Sequence, residues 1–80
     1  MDGAFDYPKL EELYSKAGGK FRFTVLMQRR VQELVRGDRR LVSLPHQYEK
    51  DYMRIAIEEF KADKISLSET GDALVYPEDE

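Results

Sequence analysis

The side chains best equipped for chemistry in this sequence are charged groups set among apolar ones, and the chemistry they suit is recognition. Arg29 and Arg30 stand together inside the longest helical pattern, and Glu59 stands in the middle of another. A guanidinium presents a planar fork that suits bidentate contact with a carboxylate or with backbone oxygens. Glu59 shares a helix side with Ile55 and Ala62, both apolar. It reads either as a solvated surface charge or as a carboxylate aimed at a partner's cation or N–H donors. No reaction chemistry is spelled out beside these groups. The single histidine, His46, has no cysteine to activate and no motif tying it to a serine. Gly18-Gly19 lacks the spacing and the lysine–serine sequel of a phosphate loop. One histidine without cysteine cannot build a zinc site. No catalytic residue, metal ligand, cofactor or small-molecule substrate is expected.

Three elements must position the charged groups. In the central one, from Phe21 to Arg36, Phe23, Met27, Val31, Leu34 and Val35 fall on one stripe at helical spacing. Gly37 closes it as a residue free to turn left-handed. Phe21 and Val25 lie off that stripe, on a second apolar patch. Before it, Leu10, Leu13, Tyr14 and Ala17 give one apolar face to a short helix that starts at Pro8 and stops at Gly18-Gly19. After it, Tyr52, Met53, Ala56, Ile57 and Phe60 mark a third helix, with Ile55 and Glu59 on its other side. The pattern predicts an all-α fold with helices near residues 8–17, 20–36 and 48–63. Its expected core is Leu10, Leu13, Phe23, Met27, Val31, Leu34, Ala56, Ile57 and Phe60. Residues 1–7 are expected to be a flexible N-terminus, 8–66 one helical domain, and 67–80 a flexible acidic tail. Ala73 to Tyr76 makes a short extended piece, too small to stand as a strand alone.

Size and charge say what the second faces are for. Eighty residues without cysteine have no disulfide to hold them and little core to spare, which leaves a partner as the staple. Residues 20–40 hold seven Lys/Arg against two acids in a chain of net charge −3. A free-standing DNA-binding domain is usually basic overall, so these cations are expected to meet acidic groups on a protein. No apolar run reaches a membrane span and the N-terminus lacks a basic secretion start, so the chain reads as cytoplasmic with no membrane partner.

The order of motifs resembles the omega subunit of bacterial DNA-directed RNA polymerase. That family pairs a short first helix with a segment of the type Asn-Arg-Phe-x-Leu-Val-x-x-Ala-x-Arg-Arg, then an Ala-x-x-Glu-Ile-x-x-Gly-Lys-Ile element. Gly19-Lys20-Phe21-Arg22-Phe23-Thr24-Val25, with Arg29-Arg30 at the expected distance, occupies the first. Ala56 to Ile65 occupies the second without a gap, and the likeness covers roughly residues 8–66. Arg22 stands where an acid is common, and Asp63 where glycine is usual. The resemblance implies a non-catalytic subunit that clamps the largest (beta-prime) subunit, aids its folding and assembly, and sits with the polymerase at the nucleoid. The N-terminus lacks the arginine that helps some members bind guanosine tetraphosphate, and Asp2 and Asp6 would repel its phosphates, so alarmone binding is not carried over. Phe21, Val25, Arg29, Arg30, Ile55 and Glu59 are the expected partner contacts. On that reading, Phe21→Ala and Glu59→Ala spare the fold and weaken capture of the partner. Two alternatives stay open. One is a small DNA-binding or transcription-regulator module with Arg22, Arg29, Arg36, Arg39 and Arg40 on phosphates. The other is a helical domain that self-associates through its second faces.

Overall fold

The computed structural model describes residues 10–77. The expected flexible N-terminus, the Pro8 helix start and the terminal acids Glu78, Asp79 and Glu80 lie outside the described residues. Three helices follow in order, α1 (Leu10–Ala17), α2 (Lys20–Val35) and α3 (Tyr52–Lys61), then a strand pair β1 (Ser66–Leu67) and β2 (Leu74–Val75).

Helix α1 packs Leu13 and Ala17 inward and ends where Gly19 N–H reaches back to the Tyr14 carbonyl at 2.8 Å. This closure needs a left-handed residue, and Gly18 takes it with φ 95°. Helix α2 is the central element and packs on both α1 and α3. Phe23 is its pivot, with Tyr14 edge-on at 5.3 Å and Phe60 at 6.0 Å between ring centres. Its buried side is shifted from the expected stripe: Val35, placed on that stripe at the C-terminal end, is 61% exposed. Leu26 and Arg30, each about 60° round the helix from Phe23 and Met27 respectively, are buried. Val31, expected in the core, sits at the edge of it and is partly buried. The rest of the expected core is inside, with Leu10 packed at its margin and Leu26, Ile55, Ile65 and Leu67 added.

Helix α3 starts four residues later than expected. Pro45 leads into a single 3-10 turn at His46–Tyr48, and Asp51 then caps α3 by accepting from Arg54 N–H at 3.2 Å. Its exit is left-handed although glycine is missing there. Asp63 takes φ 62°, the Lys64 N–H returns to the Glu59 carbonyl at 2.9 Å, and Lys16 holds the Asp63 carboxylate at 2.6 Å. Aspartate is among the few side chains that tolerate this backbone region.

The fold departs from all-α beyond residue 65. Instead of a flexible tail from residue 67, the chain turns through residues 68–73 and pairs antiparallel, Ser66 opposite Val75 and Leu67 opposite Leu74. Ser68 and Ala73 close the turn backbone to backbone at 2.9 Å, and Ser68 Oγ also accepts the Ala73 N–H at 3.2 Å. Two residues per strand cannot stand alone in water. This pair stands because Leu67 joins the core beside buried Ile65 and because both strands lie on α2.

Candidate functional site

Arg30 and Glu59, read from sequence as surface contacts, meet each other inside the chain. Glu59 is 0% exposed and Arg30 2% exposed. The guanidinium is bidentate on the carboxylate, with Nε donating to Oε1 at 2.5 Å and Nη2 to Oε2 at 2.9 Å. Nη1 donates to Glu33 Oε1 at 2.9 Å, and Nη2 donates again to the Arg39 carbonyl at 2.8 Å. Glu59 Oε2 also accepts the Leu41 N–H at 2.9 Å. Two charges out of water are tolerable when paired and hydrogen-bonded on every side, and here they are. The hydrogen bond to Glu59 holds the Arg30 pKa above its ordinary value, against the opposite push of burial. The pair therefore ties α2, α3 and the 36–51 connector at one point.

The C-terminal segment reaches the same centre. The Tyr76 hydroxyl donates to Glu33 Oε1, and Arg30 lies 5.8 Å from the Tyr76 ring centre. Although the residue as a whole is 42% exposed, its phenol is pushed up to about 12, first by burial and then by the Glu33 hydrogen bond. The folded-state pKa is raised above its ordinary value of 10.0, so this contribution is whole below pH 10.0 and is lost as pH rises through about 12. Tyr76→Phe should therefore flatten the part of the alkaline stability loss that falls between those pH values, measured by denaturant unfolding of both proteins.

Ile55, also expected to face a partner, is 1% exposed and belongs to the core. The outward-face reading of Arg30, Ile55 and Glu59 is thus corrected: the connector folds back over that side of α3, and the cation that meets Glu59 comes from this chain. The other three expected contacts share one open face. Phe21 is 79% exposed, Arg29 is exposed and Val25 half-buried, and with exposed Gln28, Gln32 and Arg36 they follow one side of α2 from end to end. Neither the Arg29 nor the Arg36 side chain makes a hydrogen bond or ion pair among the described residues. They flank a cavity of about 340 Å³ that also touches Gln32, Glu33 and the hairpin at Asp72, Ala73 and Leu74. Sequence reasoning missed Arg22 as an internal group. Its guanidinium donates to the carbonyls of Ala17, Leu67, Ser68 and Glu69 at 2.9, 3.2, 2.9 and 3.2 Å. It also missed that Arg30 is flanked by Leu26, Met27 and Leu34, an apolar setting that marks a buried cation.

Among the described residues no helix is long and apolar enough to cross a membrane. The sequence matches the RNA polymerase Rpb6 family over residues 12–67, and the chain belongs to that family. It is similar to a Rhodopirellula baltica protein named DNA-directed RNA polymerase subunit omega, with 40% identity over 60 residues. That match takes in 75% of this chain, which spans 63% of the length of that relative. No solved structure matches at a significant level. The family match holds Arg22, Arg30 and Glu59 and stops at Leu67, before the second strand.

Proposed function

We propose that this chain is a non-catalytic accessory subunit of a DNA-directed RNA polymerase, cytoplasmic, that binds the largest (beta-prime) subunit and promotes its folding and assembly. The observation that carries the reading is the open face of α2. A central helix packed on one side by α1, α3 and the hairpin leaves Phe21 and Arg29 outward on the other, with half-buried Val25 at the margin of the core between them, in a chain of a polymerase-subunit family. An exposed aromatic ring has a large apolar area to bury, and such anchors dominate interfaces. Arg29 adds a directional donor set beside it. Docking on the folded chain stabilises it by mass action, which suits a domain of this size.

The DNA-binding alternative loses two of its five cations. Arg22 is engaged with four carbonyls and Arg40 donates to the Glu49 carbonyl. The test is capture of the co-expressed largest subunit by the tagged chain. Phe21→Ala should leave circular dichroism unchanged and weaken capture by about tenfold, roughly 1.4 kcal/mol. Undiminished capture would remove the interface reading. Tight duplex binding by the isolated chain at physiological salt would replace it with the nucleic-acid one, and concentration-dependent mass lost in Phe21→Ala with self-association.

A further inference from the structure

A second surface is built on the buried ion pair, lined by residues other than those of the open α2 face. A cleft of about 670 Å³ is lined by Arg39, Arg40, Leu41, Val42 and Ser43 of the connector, with Lys64 and Tyr76 opposite. Three of its seven lining residues are cations, and among the described residues no carboxylate lines it. The Arg39 side chain makes no hydrogen bond, ion pair or ring contact among the described residues.

The floor is held from below. Arg30 Nη2 fixes the Arg39 carbonyl at 2.8 Å and Glu59 Oε2 fixes the Leu41 N–H at 2.9 Å, so the backbone on both sides of Arg40 is pinned to the core. The facing wall is held by the same centre, because Tyr76 donates to Glu33, and Glu33 accepts from Arg30 at 2.9 Å. Arg40 itself donates to the Glu49 carbonyl, which draws the two ends of the connector together. Loop cations are ordinarily mobile and lose entropy on binding. These stand on backbone already fixed by buried charge.

We propose that this cleft is a docking site for an acidic, partly apolar segment of a partner polypeptide, with Arg39 as its main contact. The lining decides the class. Arg39 offers its guanidinium to a carboxylate beside the positive charge of Arg40 and Lys64, while half-buried Leu41, Val42 and the Tyr76 ring supply an apolar wall that a small inorganic anion would not use. An extended chain alternating acidic and apolar side chains satisfies both. The proposal does not depend on which complex the chain joins.

The test uses the full chain and a fluorescein-labelled twelve-residue peptide alternating Glu and Leu, read by anisotropy. The peptide should bind, and its Gln-for-Glu counterpart should not. Arg39→Gln should weaken binding by about fivefold, the scale of one partly screened ion pair, without moving the melting curve. Arg36→Gln, outside the cleft, should leave binding unchanged. Equal binding by parent and Arg39→Gln, or by the Glu and Gln peptides, would overturn the proposal. So would displacement of the peptide by an equivalent concentration of inorganic tripolyphosphate or of single-stranded oligonucleotide, which would make the cleft a phosphate site. Phe21→Ala should keep peptide binding intact. Failure of polymerase capture with peptide binding retained would therefore strike the subunit reading and leave this cleft standing.

Discussion

Glu59→Ala should cost about 3–5 kcal/mol, the penalty for stranding one charge of a buried pair. The residue is 0% exposed and accepts three hydrogen bonds, two from Arg30 and one from Leu41 N–H. Removing it leaves a guanidinium inside the fold with Glu33 as its remaining carboxylate, itself shared with Tyr76. A domain of this size has roughly 5–15 kcal/mol in total, so the loss takes a large share of it. The melting midpoint should fall by roughly 12 °C or more. The double change Arg30→Met with Glu59→Leu should recover much of the loss, because apolar side chains of similar volume avoid the stranded charge. A single variant that melts like the parent would show that the pair does not hold the fold. This outcome is opposite to the one the sequence predicts, in which Glu59→Ala leaves the helices intact.

The reversal has a physical origin. Helical periodicity states which residues share a side of one helix, and it placed Ile55 and Glu59 together correctly. It does not state what covers that side. The cover is residues 39–41, which return across α3 because Arg30 and Glu59 bind their backbone. These contacts, with the Arg30–Glu59 pair itself, join positions 9, 18 and 29 apart in sequence, beyond the reach of a helical pattern. A signal for it was nonetheless present. Arg30 has apolar residues three and four positions before it and four after, and Glu59 has apolar neighbours too. Two opposite charges in two apolar settings point to each other at least as well as to a partner. Phe21 and Arg29 were legible as outward because exposure on a helix follows from spacing once the core stripe is known, whereas Val25, read with them, packs partly against the core.

The strand pair was hidden for a different reason. Leu74-Val75 is too short to read as a strand, and its stability is borrowed from α2. The turn within it carries the visible cues, Ser68, Thr70, Gly71 and Asp72. Thr70 Oγ1 donates to the Asp72 carboxylate at 2.7 Å, which with Ser68 holds that carboxyl below its ordinary range.

Arg22→Ala should cost about 2–3 kcal/mol and should loosen the hairpin before the helices. One side chain here serves two elements, α1 and the hairpin, that have no other charged tie among the described residues. Its Nε donates to Ala17, a carbonyl left without an intrahelical partner at the end of α1. Its Nη atoms donate to Leu67, Ser68 and Glu69, the carbonyls where β1 runs into the turn. Hydrogen bonds from a charged donor contribute about 1.5–3 kcal/mol each, but part of this set faces water and is replaced by hydration when the donor goes. Gly18 makes the room: a Cβ there would stand 3.0 Å from Arg22 Nε, and the residue's φ of 95° is already one that side chains rarely adopt. A carboxylate at position 22 could donate to none of these carbonyls, so this way of seating the hairpin belongs to the arginine. Hydrogen exchange is the discriminating measurement. In Arg22→Ala the Ser68 amide, bonded to the Ala73 carbonyl at 2.9 Å, should lose protection while buried amides of α2 track only the global loss. Arg22→Lys should recover a minor part, since an ammonium is a compact point and cannot span four carbonyls on two elements. If Arg22→Ala melts within about 0.5 kcal/mol of the parent and the hairpin amides keep their protection, the strand pair is held by Leu67 and Tyr76 alone.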